Sequence, residues 1–102
     1  MIQYDMANLK KIKKMAELAP AAMKAYQALG EAATADGAIP AKYKELIAVA
    51  VAMTTQCPYC IEYHSAKAKK IGATEQEIVE AVLVSAALRA GASVTHGTHA
   101  ID

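Results

Sequence analysis

The sequence predicts an all-α fold, a compact bundle of five to six helices in one domain over residues 1–102. Three observations carry that prediction. About a quarter of the 102 residues are Ala, the strongest helix former. Apolar residues recur at three- and four-residue spacing rather than alternating. Helix start and stop signals fall at regular intervals along the chain.

Taken in order, residues 5–18 place Met6, Leu9, Ile12, Met15 and Ala16 on one side, with Lys10, Lys11, Lys13 and Lys14 mostly on the other. That is an amphipathic helix whose lysines form a solvated face. Pro20 suits the first turn of a second helix running from Ala21 to about Ala35, with Gly30 marking a bend or an early end. Asp36-Gly37 signals a turn and Ile39-Pro40 leads into a third helix, Ala41 to Thr54. A fourth starts near Cys57-Pro58 and ends at Gly72, a favoured residue just past a helix end. Thr74 with Glu77 fits a capping box and opens a fifth helix through Arg89. Gly91 is expected to break it, leaving a short last helix from Ala92 to Ala100.

Composition narrows the function classes. Net charge is +1, far from the strongly basic balance of a nucleic-acid-binding domain, so no nucleic-acid partner is expected. The longest apolar run, Leu46 to Met53, is too short to span a bilayer, and the lysine-interrupted first segment offers no signal-peptide core. The expectation is a cytoplasmic protein with no membrane partner. Phe and Trp are absent, so a single copy buries little area per residue. The stretch Ile78–Leu88 is apolar nearly all round and must be covered. Both features predict a homo-oligomer.

Chemistry concentrates in Cys57-Pro58-Tyr59-Cys60-Ile61-Glu62-Tyr63-His64, which holds the only two cysteines of the chain. In a reducing compartment a C-x-x-C pair reads as catalytic or metal-binding rather than as a structural disulfide. If the helix begins near Cys57, then Cys57, Cys60 and His64 share one face, and a tightened first turn lets the sulfurs bond and separate. The helix N-terminus favours a thiolate, and His64 can take a proton from Cys60, its neighbour one turn back. The dipole points to Cys57 as the attacking sulfur. The base points to Cys60 and carries more weight, because a positioned base does more than a terminal dipole.

Rival readings exist for each residue. Two buried core cysteines would be inert. A zinc site would need Cys57, Cys60, His64 and one of His96 or His99; no metal and no cofactor is expected. His96 and His99 otherwise read as the polar end of a short helix or an intersubunit contact. Glu45, beside Lys42 and Lys44 near a helix start, reads on position alone as a solvated, dipole-favoured residue as readily as a functional one.

These residues resemble the alkyl hydroperoxidase D-like (AhpD-like) branch of the carboxymuconolactone decarboxylase family. The signature is Glu45, eleven residues, Cys57-x-x-Cys60, three residues, then His64. The Gly72-Ala73-Thr74 turn and the apolar helix after it also match, so the resemblance runs from about residue 35 to the end. It implies an all-α fold in which the Glu45 helix packs beside the C-x-x-C helix, and a thiol peroxidase without metal, flavin or haem. Cys60 would attack a hydroperoxide and form a sulfenic acid. Cys57 would resolve it as a disulfide, and His64 with Glu45 would relay the proton. A partner dithiol protein, lipoyl-bearing in the best-known relative, would reduce that disulfide. Family members are trimers or hexamers, and a hexamer is favoured here. Alkyl hydroperoxidase D carries a His between its cysteines where this chain has Tyr59, a poor base at neutral pH. That departure keeps general thiol–disulfide exchange as the alternative activity.

Overall fold

The computed structural model describes residues 4–102, all of whose regular structure is helical, as the composition predicts. The chain divides into two compact units, one up to Ala41 and one from Lys42 to Asp102.

In the first unit, Asp5 accepts the Ala7 N–H at 2.9 Å and caps a 3-10 segment, Met6–Lys11. That segment passes directly into α1 (Ile12–Leu18). The predicted single helix over 5–18 is therefore two kinds of helix joined end to end, 3-10 turns being frequent at α-helix starts. Ala19 leaves helical geometry (φ −137°, ψ 67°) because the following proline ring disfavours the α region. Pro20 then opens α2 (Pro20–Thr34) at the position where its missing N–H costs nothing. Gly30 does not end α2, which continues to Thr34. Its penalty of about 1 kcal/mol is spread over a helix whose other residues include many Ala.

The second unit holds α3 (Ala41–Thr55), α4 (Pro58–Lys70) and α5 (Glu75–Gly97), followed by a 3-10 turn at Thr98–Ala100. Both loops in it begin with the same device. Gly72 has φ 101° and the Ala73 N–H reaches back to the Ala68 carbonyl at 2.9 Å, a Schellman turn with glycine at its left-handed position. At the end of α3 the Cys57 N–H reaches back to Ala52 at 3.2 Å. The left-handed residue there is Gln56, at φ 54°. Arg89 of α5 donates to the Thr54 carbonyl at 2.8 Å, so a cation covers the negative end of α3. Thr74 and Glu77 form the predicted capping box, with bonds of 3.1 and 2.9 Å. Lys42 pairs with Glu77 at 3.0 Å and ties the start of α3 to the start of α5.

Gly91 corrects the expected helix boundary: α5 runs through it for 23 residues. Neighbouring residues Ala90 and Ala92 are strong formers and no proline follows, so one glycine cannot stop the helix. The consequence is a segment, Glu75–Ala100, long and apolar enough to cross a membrane by length and composition (mean hydropathy 1.5 in its most apolar window). No unbroken apolar run marks it in the sequence, because Glu80, Ser85 and Arg89 interrupt it. Among the described residues the buried apolar ones are small and few: Val49, Ala52, Ala68 and Ala73, joined by the polar Glu45 and Ser85. Val79, Leu83, Val84, Leu88 and Val94 of α5 are all exposed.

Candidate active site

Cys57 is not the first residue of α4 but its N-cap, with extended backbone (φ −93°, ψ 103°). The Schellman turn at Gln56 brings the chain out of α3 at that angle, and Pro58 begins the next helix immediately. The same-face picture for Cys57 therefore becomes a capping picture. Its Sγ accepts the backbone N–H of Cys60 at 3.3 Å, as a Ser or Thr oxygen does at other helix starts.

The two thiols differ in acidity. Both are free and partly exposed. The Cys60 thiol donates to Cys57, and with the Cys60 backbone N–H it holds the Cys57 pKa below the usual thiol value. The same bond, together with burial, pushes Cys60 above that value. Of the two thiols, Cys57 is therefore the one that gives up its proton first. The sulfur that ionises first is the one the helix-end argument pointed to, and the cause is hydrogen bonding from the Cys60 thiol and backbone N–H.

His64 projects from α4 one turn beyond Cys60. Its Nδ1 lies 2.7 Å from Glu45 Oε2 on α3. Glu45 is 1% exposed, so the reading of it as a solvated surface residue is wrong. An ionised carboxylate only accepts; the pair then puts a proton on Nδ1 and leaves Nε2 as the acceptor that can serve as a base. Tyr63 packs edge-on against the imidazole, with ring centroids 5.0 Å apart. One residue escaped the sequence reading. Lys67 places Nζ 3.3 Å from Glu45 Oε1, close enough for an ion pair but outside hydrogen-bonding angles, so that buried oxygen has no hydrogen bond. Its only signal was a position three after His64, which nothing distinguished from the nearby Lys69 and Lys70.

His96 and His99 contact each other, with ring centroids 5.8 Å apart. Among the described residues no group of three or more His, Cys, Asp or Glu is arranged to hold an ion.

A helical unit carrying an N-capping C-x-x-C pair, with a His–Glu pair one turn on, defines a class of all-α dithiol proteins. The chain belongs to the carboxymuconolactone decarboxylase family, whose pattern it matches over residues 20–102. It is 49% identical over 77 residues to uncharacterized protein 4 in the cox locus of Paracoccus denitrificans, covering 76% of this chain and 69% of that one. An uncharacterized protein of Haemophilus influenzae is 42% identical over 83 residues, with 81% and 74% covered. Among solved structures, an apo carboxymuconolactone decarboxylase family protein from Legionella pneumophila superposes with TM-score 0.77. It is 36% identical over 88% of this chain and 80% of its own. A protein from Methanobacterium thermoautotrophicum gives TM-score 0.81 at 28% identity, with 86% and 99% covered.

Proposed function

We propose that this protein is a dithiol oxidoreductase of the alkyl hydroperoxidase D-like kind, reducing organic hydroperoxides through Cys57 and Cys60. The observation that carries the reading is the Cys57–Cys60 cap beside a His64 whose Nδ1 is held by buried Glu45. In the proposed cycle His64 Nε2 takes the Cys60 proton, and Cys60 attacks the outer peroxide oxygen. The O–O bond breaks, Cys60 becomes a sulfenic acid, and the alkoxide leaves as an alcohol with the proton from His64. The Cys57 thiolate then attacks the Cys60 sulfur and displaces hydroxide, which takes from solvent the proton that Cys57 released on ionising and leaves as water. Two electrons pass from the dithiol to the peroxide, and a partner dithiol restores the pair through a mixed disulfide. A depressed pKa suits Cys57 to the second step, which needs a ready thiolate.

Protein thiol–disulfide exchange is the second reading, favoured by the low pKa of Cys57. There Cys57 attacks a substrate disulfide and Cys60 resolves. Single-cysteine variants separate the two. After limiting hydroperoxide, a sulfenic acid trapped on Cys60 in Cys57→Ser supports the first reading. A sulfenic acid on Cys57 alone, in Cys60→Ser, removes the assigned nucleophile.

The exposed apolar face of α5 fits a homo-oligomer, a hexamer by the family resemblance, in a soluble, cytoplasmic protein. Burying a Leu or Val side chain contributes about 1.5–3 kcal/mol, so a second copy over this face recovers what one chain leaves in water.

A further inference from the structure

We propose that Lys67 is a positioning residue that keeps His64 Nε2 free of a proton by holding Glu45 ionised. The proposal rests on the dithiol reading above, in which that nitrogen is the base, and adds a residue to it.

Glu45 is fully buried on α3, and its two oxygens face two different side chains of α4, one turn apart. Oε2 meets His64 Nδ1 at 2.7 Å and Oε1 meets Lys67 Nζ at 3.3 Å. A buried carboxylate is costly unless a cation compensates it. Before His64 has taken a proton it is neutral, and Lys67 is then the ammonium in contact with Glu45. Lys42 is engaged with Glu77 instead, Arg89 with the Thr54 carbonyl, and the ion pairs of Glu45 are those with His64 and Lys67. Lys67 is also steered from its own helix, since Nζ stands 5.9 Å from the centroid of the Tyr63 ring. That ring packs edge-on against His64, so one aromatic side chain braces both partners of the carboxylate.

The proton balance follows. With Lys67 in place the carboxylate only accepts, Nδ1 carries the ring hydrogen, and Nε2 keeps its lone pair. Without the ammonium, a proton compensates the buried charge instead. If it settles on Glu45, the acid donates to Nδ1 and the ring hydrogen moves to Nε2. If it settles on the ring, His64 becomes an imidazolium with Nε2–H. Either way Nε2 stops being an acceptor, and Cys60 loses its base.

The test is nitrogen-15 NMR of the His64 ring in the reduced protein at pH 7.5, in Lys67→Met, Lys67→Gln and Lys67→Arg, with helical content checked by circular dichroism. Two neutral replacements are used so that one poorly folded variant does not decide the matter. Nε2 should be unprotonated in wild type and Lys67→Arg and protonated in the neutral variants. Hydroperoxide consumption should fall about tenfold in the neutral variants, short of the roughly 10²–10⁴-fold loss expected without the base itself. An unprotonated Nε2 in either folded neutral variant overturns the proposal and leaves the peroxidase reading standing. A wild type that consumes no hydroperoxide sinks that reading, while the ring spectrum still reports on Lys67.

Discussion

Cys57 Sγ accepts the backbone N–H of Cys60 across 3.3 Å, so one cysteine of the pair caps the helix that carries the other. The capping atom is thus also the sulfur whose thiol pKa is lowered. A negative charge formed there is favoured by the positive end of α4, and the sulfur in turn completes the helix end.

Reactivity should follow this asymmetry. The Cys57 pKa is lowered and that of Cys60 raised. Iodoacetamide should modify Cys57 first, at pH values below the ordinary thiol range, and its rate should fall only when pH drops through the lowered pKa. Peptide mapping after brief alkylation at pH 7 checks this; faster labelling of Cys60 would contradict the assignment. Cys57→Ala removes the acceptor of the Cys60 thiol proton, so the Cys60 pKa should move down towards the ordinary value.

Glu45→Gln should separate orientation from charge. An amide presents either a donor or an acceptor to Nδ1, so control over the His64 ring is lost, with an expected fall in hydroperoxide turnover of roughly 10²-fold or more. Breaking a fully buried ion pair costs about 3–5 kcal/mol. Because the His64 and Lys67 side chains are 25% and 40% exposed, water compensates part of that loss, and a cost of about 1–3 kcal/mol is expected in urea unfolding.

The two Schellman turns make opposite predictions. Gly72→Ala forces a Cβ into φ 101° and should cost about 1–2 kcal/mol, although the space around Gly72 is open. Gln56→Gly relieves the same constraint at φ 54° and should stabilise by about 0.5–1 kcal/mol, provided that the α3–α4 turn, and with it the cap at Cys57, stays intact. Thermal melts of the two variants should shift in opposite directions. A pH effect accompanies the next helix start. The Thr74 N–H bond holds the Glu77 carboxyl below the usual carboxylate range, and Lys42 lowers it further. That contribution is full above the unfolded pKa and is lost as pH falls through the lowered folded value. In Glu77→Gln, stability should change less with pH over that acid window.

Leu88 is 67% exposed on α5. If copies of the chain cover this face, Leu88→Glu should lower the native mass in sedimentation from a multiple of 10.8 kDa towards that value. A wild type sedimenting as one chain would remove the oligomer proposal.

Much of this was legible in the sequence because it is local. Alanine content, three-four spacing and Pro20 define helices within a few residues of themselves. The Thr74–Glu77 box and the left-handed Gly72 fall where those signals placed them. Local signals failed where one residue's preference was set against a whole helix. Gly30 and Gly91 looked like breaks, but helix propagation is cooperative and surrounding residues carried each helix through.

What the sequence by itself determined is the inventory: an all-α chain, with a C-x-x-C pair at a helix start and a histidine one turn on. Tertiary structure alone decided that Glu45 is buried against His64, 19 residues away, and that Lys67 takes its other oxygen. Periodicity tells which side of a helix a residue occupies. It does not tell how close two helices approach or which atoms meet, and ionisation depends on those distances and on exclusion of water.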